Sequence, residues 1–334
     1  MFAALNSFQV GGKPMLVSDV FSTSLYTGTQ ATQTITNGID LSTKGGLVWL
    51  KWRSGTNAFG HALYDTIRGS TKQLVSNSLA AQTTENRVSS FNNNGFTLTN
   101  DTETNYLNDN YVSWTFRKQP LFFDIVTWTG NGTTQTINHN LGSVPGCIMV
   151  KQYASNSTQW AVFHRSNGSN GALCLNDTSA FSPGDFWFNA IDPTSTTFTV
   201  GGSGETNQSG QSFIAYIFAH NAGGFGTGAD NAISCGSYTG NGSATGPIVT
   251  LGYQPQWLLI KRSTGTANGN WLMLDVMRGF GTSTDNDLYA NLSNAEGTGL
   301  DLAEPQSTGF QIKSSTAGVN ASSDTYIYIA IKAN

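Results

Sequence analysis

Residues 128–146 read WTGNGTTQTINHNLGSVPG, and the opening of that stretch returns at 238–242 as YTGNG and more faintly at 26–30 as YTGTQ. A catalytic loop is normally written once in a chain, whereas a building block is written as often as it is stacked. Two further landmarks recur with the turn. One is an apolar strand ending in lysine: LVWLK at 47–51, CIMVK at 147–151 and WLLIK at 257–261. The other is a closing strand: YVSWTF at 111–116, FIAYIF at 213–218 and YIYIAI at 326–331. The turn aromatics Tyr26, Trp128 and Tyr238 are offset by 102 and 110 residues, the lysines by 100 and 110, and the closing strands by 102 and 113. Landmarks that keep nearly one offset predict a unit written three times.

The closing strands alternate. Val112, Trp114 and Phe116 share a face, as do Ile214, Tyr216 and Phe218, and then Ile327, Ile329 and Ile331, while Ser113, Thr115, Ala215 and Ala330 lie opposite. Period-two burial of this kind marks a β-strand with one core face. The lysine strands are apolar on both faces, which places them inside a sheet. Each is followed by a further strand, HALYD (61–65), WAVFH (160–164) or WLMLD (271–275), and then by Gly69, Gly168 or Gly279. A shorter strand carrying Phe96, Phe198 or Phe310 precedes the closing strand, and the polar gap between them suits a long hairpin or exposed loop. Asn-Gly and Thr-Gly in the quoted turns are expected to supply positive φ for tight reversals, with the leading aromatic packed on the core. The predicted fold is all-β: three tandem antiparallel β-sandwich modules of about 100 residues each. They span 19–120, 121–222 and 223–334, with residues 1–18 as an N-terminal arm.

Composition agrees and narrows the function. Charged residues are 11% of the 334 positions and the formal net charge is −4, with no basic stripe, so phosphate-backbone recognition of nucleic acid is disfavoured. Asn, Ser, Thr and Gly carry the polarity, which favours turns over helix. The 8 Trp and 19 Phe supply large apolar area, so the chain is globular and not disordered. Neither a signal-peptide core nor an apolar run of about 18 residues is present, which predicts synthesis in a reducing cytoplasm and no membrane insertion. Cys147, Cys174 and Cys235 lack CxxC spacing and are expected as buried free thiols. The Asn131 and Asn241 sequons carry no weight without a secretion signal.

The most tempting chemistry is Lys51 with Asp65 and Arg68, matched by Lys261, Asp275 and Arg278 at the same spacing. A carboxylate-activated lysine or an anion clamp would look like this. Copy two, however, has Lys151, His164 and Asn167 there, so the set is expected to be structural. His61, His139, His164 and His220 show no metal-ligand spacing. Glu85, Asp185, Asp192, Glu205, Glu296 and Glu304 lie mostly in loops and do not pair by sequence into the two carboxylates of a glycoside hydrolase. No GxxxxGK[ST] phosphate loop occurs. DNDLYAN at 285–291 offers oxygen ligands without EF-hand spacing, leaving at most a weak calcium site. Catalytic, cofactor and metal residues are therefore none. Trp and Tyr among polar loops suit a carbohydrate-binding face, and the copy-specific loops 73–94, 176–196 and 282–308 are the first places to seek one.

The run WTGNGTTQTINHNLGSVPGCIMVK, followed by WAVFH, resembles a module of virion structural proteins in marine tailed phages, including cyanophages. The steps Leu141-Gly142…Pro145 and Leu251-Gly252…Pro255, and the late strand Tyr111–Phe116, carry the likeness; copy one has no proline after Ile39-Asp40-Leu41 and departs from it. The resemblance implies a non-enzymatic tail fibre-like protein for attachment to the host surface. Its alternatives are a capsid decoration or tail-scaffolding protein and, third, a polysaccharide-degrading appendage. It implies a virion location, a homo-oligomer with a trimer favoured, and a host glycan or receptor as partner. Other virion proteins would be held through the arm, where Phe2, Phe8, Met15 and Val17 lack local partners.

Overall fold

The computed structural model describes residues 14–334 except 57, 155–156 and 266–268. The protein is all-β and antiparallel, with helix limited to the single turn Ala317–Asn320 and two short 3₁₀ turns among the described residues. Each copy builds its larger sheet around the same four strands in the same order. An opening strand (Phe21–Thr27, Phe123–Thr129, Ile233–Thr239) lies at the edge. Next come the closing strand (Asn110–Arg117, Ser212–Phe218, Thr325–Lys332) and the lysine strand (Gly46–Ser54, Cys147–Gln152, Pro255–Arg262). The strand after it (His61–Asp65, Ala161–His164, Leu272–Asp275) completes the four. Registers correspond too: Phe21 pairs with Phe116, Phe123 with Phe218 and Ile233 with Ile331. The lysine strand is interior, as its two apolar faces predicted.

A smaller sheet covers each larger one. It pairs Ile35 with Phe96, Ile137 with Phe198 and Val249 with Phe310. The phenylalanine strand and the closing strand thus belong to different sheets, so the polar gap between them is a crossover and not the expected hairpin.

The quoted turn also changes sheet, and its first glycine serves a purpose other than positive φ. A Cβ on Gly28, Gly130 or Gly240 would stand 2.0, 2.3 or 2.1 Å from the carbonyl oxygen of Tyr106, Gln208 or Ala321. Only hydrogen fits where two backbones meet that closely. The second glycine does take positive φ, +78° at Gly132 and +69° at Gly242, while copy one holds Gln30 there at +50°. The leading aromatics stack on the closing strands, Tyr26 on Tyr111 at 5.1 Å, Trp128 on Phe213 at 5.4 Å and Tyr238 on Tyr326 at 5.1 Å.

The three copies do not sit apart as beads. Between its two sheets copy one has a core of its own around Phe96 and Tyr64, and copy three one around Phe310 and Tyr326. A third, larger core takes inward residues from all three copies at once, including Trp49, Trp114 and Phe116, Met149, Tyr216 and Phe218, and Trp257, Met273 and Ile329. Rings from different copies meet there: Phe116 lies 5.6 Å from Phe218 and 5.9 Å from Trp257. At register-equivalent positions of the lysine strand stand Leu47, Cys147 and Trp257, and two residues later Trp49, Met149 and Leu259. Each layer holds one tryptophan and two smaller groups. Close-packed interiors need volumes that sum correctly, and a fused chain can meet that demand with unequal side chains.

The segments leading into the opening strands plug one end of this shared core. Val17 and Val20, Phe122, and Phe225 with Ala232 are all buried in it, and Met15 packs against it. The Met15 carbonyl accepts from Gly226 N at 2.9 Å, and Asp19 O from Arg117 at 3.0 Å. Met15 and Val17, expected to await a neighbouring subunit, therefore find their partners in their own chain. Phe2 and Phe8 lie outside the described residues.

Candidate functional site

The repeated lysines point into the joints between copies. Lys51 Nζ donates to Trp52 O and Phe59 O, each at 2.8 Å, and to Ser293 O of copy three at 3.1 Å. Lys151 donates to Thr158 O at 2.6 Å and to Leu79 O of copy one at 2.9 Å. Lys261 donates to Gly269 O and to Thr178 O of copy two, both at 2.8 Å. Copy one thus grips copy three, two grips one, and three grips two, which closes a ring. Burial without a hydrogen-bonded carboxylate depresses these amines to about 7 for Lys51 and about 8 for Lys151 and Lys261.

Backbone bonds follow the same cycle, from Gln82 N to Tyr153 O, Phe181 N to Ser263 O and Glu296 N to Arg53 O. So do the residues opening the strand after the lysine strand. Trp160 Nε1 donates to Val75 O, Trp271 Nε1 to Cys174 O, and His61 Nε2 to Tyr289 O. The loops 73–94, 176–196 and 282–308, singled out as binding loops, therefore spend part of their length sealing the ring. What they leave exposed includes Leu79, Phe186, Ile191 and Leu300.

Asp65, Arg68 and their counterparts meet as expected from spacing. Arg68 Nε donates to Asp65 Oδ2 and Arg278 Nε to Asp275 Oδ2, both at 2.6 Å, with all four side chains nearly or wholly buried. Oδ1 of each carboxylate caps its own turn, accepting from Arg68 N at 2.9 Å and from Arg278 N at 3.0 Å, while Oδ2 also reaches a neighbouring copy: Tyr216 Oη donates to Asp65 Oδ2 and Trp114 Nε1 to Asp275 Oδ2, each at 2.9 Å. Tyr216 and Trp114 occupy equivalent positions, and copy three holds Ile329 there. Isoleucine has no donor to offer, and its neighbour is copy two, where His164 replaces the aspartate. His164 Nε2 donates instead to the Tyr328 carbonyl at 3.1 Å. The departure of copy two from the Lys–Asp–Arg set has a physical cause: a buried carboxylate there would lack the cross-copy donor that Asp65 and Asp275 have.

Each histidine ring accepts one hydrogen bond, although His139 Nε2 is buried without a partner. His61 Nδ1 accepts from Trp49 Nε1 at 2.8 Å, His139 Nδ1 from Leu141 N at 3.2 Å, and His220 Nδ1 from Cys235 N at 3.0 Å. Burial holds His61 well below the usual range, and brings His164 to about 3 and His220 to about 4. Cys147 and Cys235 are buried free thiols and Cys174 is half-buried, each pushed upward by desolvation. Five of the six candidate carboxylates, all but Asp185, have local occupations: Glu85 beside Arg87, Asp192 bonded by Ser169, Glu205 by Ser203, Glu296 between Arg53 and Arg278, and Glu304 beside Lys313. In DNDLYAN, Asp285 Oδ2 accepts from Leu302 N and Ala303 N, and burial raises this carboxyl to about 6. No group of three or more His, Cys, Asp or Glu is placed to hold a metal among the described residues. Nor is any helix there long and apolar enough to cross a membrane.

One repeated element escaped sequence reading. Asn105, Asn207 and Asn320 each stand six residues before the closing strand's first aromatic and are fully buried. Their Oδ1 atoms accept from Thr29 N, Asn131 N and Asn241 N, and their Nδ2 groups donate back to turn carbonyls such as Ala31 O and Ser243 O. The fixed spacing was a signal, obscured by abundant Asn elsewhere. A surface groove of about 360 Å³ lies where copies three and one meet, walled by Ser22, Thr23, Val276 and Met277 among others.

No curated protein matches the chain. Residues 16–334 match, in a single span across all three copies, the family described as Domain of unknown function (DUF7483), and the chain belongs to that family.

Proposed function

We propose that the chain is a non-enzymatic structural protein of a phage virion, a tail fibre-like component that attaches the particle to its host surface. The observation that carries this reading is the use made of the repeated polar residues. The repeated lysines, the Asp–Arg pairs and His61 and His164 are taken up by folding and ring closure, so none of these repeated sets is left over for turnover among the described residues. What remains for recognition is a rigid body of low charge that displays copy-specific loops, with Phe186, Ile191 and Leu300 at its surface. Exposed apolar groups amid polar neighbours suit contact with a host glycan or receptor. The phage assignment itself rests on the resemblance of the TGNG turn and lysine strand. A homo-oligomer, with a trimer favoured, belongs to the same reading. Anchoring to other virion proteins through the arm falls on residues before Pro14, outside the described residues.

The compactness of the ring favours a second reading, a capsid decoration or tail-scaffolding protein, since no stalk-like segment occurs among the described residues. One experiment separates the two. Antibody raised against the purified chain should label the tail tip of intact particles, and the chain should compete with particles for adsorption to host cells. Labelling of the capsid shell without competition supports decoration, and no labelling of particles at all overturns both.

A further inference from the structure

The seam between copies one and two balances its charge, and the equivalent place between copies two and three does not. In the first, Lys118 Nζ lies 3.1 Å from Asp124 Oδ1 on the neighbouring opening strand. The counterpart of Asp124 in copy three is Ser234, at the same register position. Its hydroxyl is taken by neutral groups, donating to Asn221 Oδ1 and accepting from Tyr253 Oη. The cations beside it are left without a carboxylate. Six of the seven arginines are held by an ion pair or a hydrogen bond. Arg165, which follows His164, is exposed, and its guanidinium has neither among the described residues. Its place at the seam is fixed by the backbone. Arg165 N donates to Gly146 O at 2.9 Å, and a Cβ on Gly146 would stand 2.6 Å from Cys235 Sγ and 2.8 Å from His220 Cβ.

Two neutral donors share this corner. His220 Nδ1 accepts from Cys235 N, which leaves the ring proton on Nε2, where it has no partner among the described residues. Tyr328 takes the place held by Ser113 and Ala215 in the other copies, and its Oη overlies Gly236, 2.4 Å from where a Cβ would stand. The residue is only 7% exposed, yet its hydroxyl makes no hydrogen bond among the described residues. Burial brings His220 to about 4 and Tyr328 to about 12, so each is an uncharged donor at neutral pH. The Arg165 charge acts on His164, His220, Cys235 and Tyr328, with no carboxylate acting against it. Asp230, in the loop after His220, is held by Lys332 at 2.8 Å. Residues 1–13, 57, 155–156 and 266–268 contain no Asp or Glu with which to supply the missing charge.

We infer that Arg165, His220 and Tyr328 form a binding site for a single carboxylate, carried by an acidic sugar of the host surface. One full positive charge with two neutral donors matches a monoanion, whereas a phosphate dianion would keep uncompensated charge. The guanidinium fork suits the two oxygens of a carboxylate. Ser166 and Ser237, next in the chain to Arg165 and Gly236, are exposed and offer partners to sugar hydroxyls. The choice of a host sugar rests on the host-attachment reading, and the anion site does not, so the two fail separately.

The probe is glucuronate, titrated against the full chain at low ionic strength while the His220 imidazole signals are followed by NMR. Those signals are assigned by their loss in His220→Gln. Saturable shifts are expected, with the His220 pKa rising from about 4 as the anion binds. Arg165→Gln should weaken binding about tenfold or more, and Tyr328→Phe about threefold or more, with the fold intact. Lys44→Gln, which removes an exposed lysine likewise without a partner among the described residues, should leave binding unchanged. Absence of saturation at ~100 mM glucuronate overturns the site, as does binding that is no more sensitive to Arg165→Gln than to Lys44→Gln. Equal binding of neutral glucose, or tighter binding of inorganic phosphate, overturns the carboxylate. If the chain competes for host adsorption, Arg165→Gln should abolish that competition, and competition that is unchanged overturns the host sugar as the source.

Discussion

The joints on Asp275 and on His164 occupy equivalent places in the ring and are built from opposite materials. In the first, Trp114 of copy one donates to Asp275 of copy three, whose carboxylate also holds Arg278, with Glu296 tying Arg278 to Arg53. In the second, Ile329 of copy three meets copy two, which offers neutral His164. Where a donor is present the facing copy keeps a carboxylate, and where the donor is lost the carboxylate is lost with it. The ring position therefore constrains residue choice more tightly than membership of the repeat does. A residue that looks like failed catalysis in one copy is a matched change across a joint.

The largest expected effect breaks the charged joint. Asp275→Ala leaves the Trp114 indole unpaired and takes from Arg278 its nearest counter-charge in a buried site, and should cost about 3–5 kcal/mol in denaturant melts. His164→Ala, which removes only neutral bonds and some packing, should cost clearly less, and an equal loss would contradict the contrast. His164→Asp sharpens it further: the new carboxylate faces Ile329 and is unpaired, and adding Asn167→Arg should restore at least ~1 kcal/mol in a double-mutant cycle.

Next in size is the turn that all three copies share. Gly130→Ala drives a methyl into the Gln208 carbonyl, only 2.3 Å away, and should cost up to about 3 kcal/mol.

Acid should then single out the neutral joint. The folded-state value of His164 is about 3, below the unfolded value, so the unfolded chain binds its proton first. The stability this histidine contributes is complete above pH ~6.5 and is lost as pH falls toward 3, amounting to about 2 kcal/mol by pH 5. Tm measured against pH should fall less steeply for His164→Gln. On the alkaline side the lysines act in the same direction, because a depressed amine also leaves the unfolded chain binding more protons. With Lys51 held at about 7 and Lys151 and Lys261 at about 8, below the ordinary lysine value, stability should rise from neutral pH toward 10. The smallest effect belongs to Gln30→Gly, which relieves a left-handed backbone at +50° and should change stability by less than ~1 kcal/mol.

Much of the fold was legible because strand alternation reports directly on burial. The inward residues of Tyr111–Phe116, the interior lysine strand and the sheet-forming turns were all readable from pattern. The purpose of Gly28, Gly130 and Gly240 was misread. Both positive φ and close backbone approach select glycine, and only coordinates distinguish them. Asn105, Asn207 and Asn320 were passed over because a buried carboxamide looks like any loop asparagine until its six-residue spacing is compared across copies. The binding loops were placed by their variability, which here reflects joints as well as free surface.

By itself the sequence determined that one antiparallel unit is repeated three times and which face of each strand avoids water, because alternation and turn chemistry are local properties. Only the tertiary structure decided what those faces bury against. Hydrophobic burial has no direction, so Trp49, Met149 and Leu259 could have filled separate cores as readily as a common one. Lysine-to-carbonyl bonds that run from each copy to the next, and unequal side chains whose volumes sum within one interior, selected the closed ring.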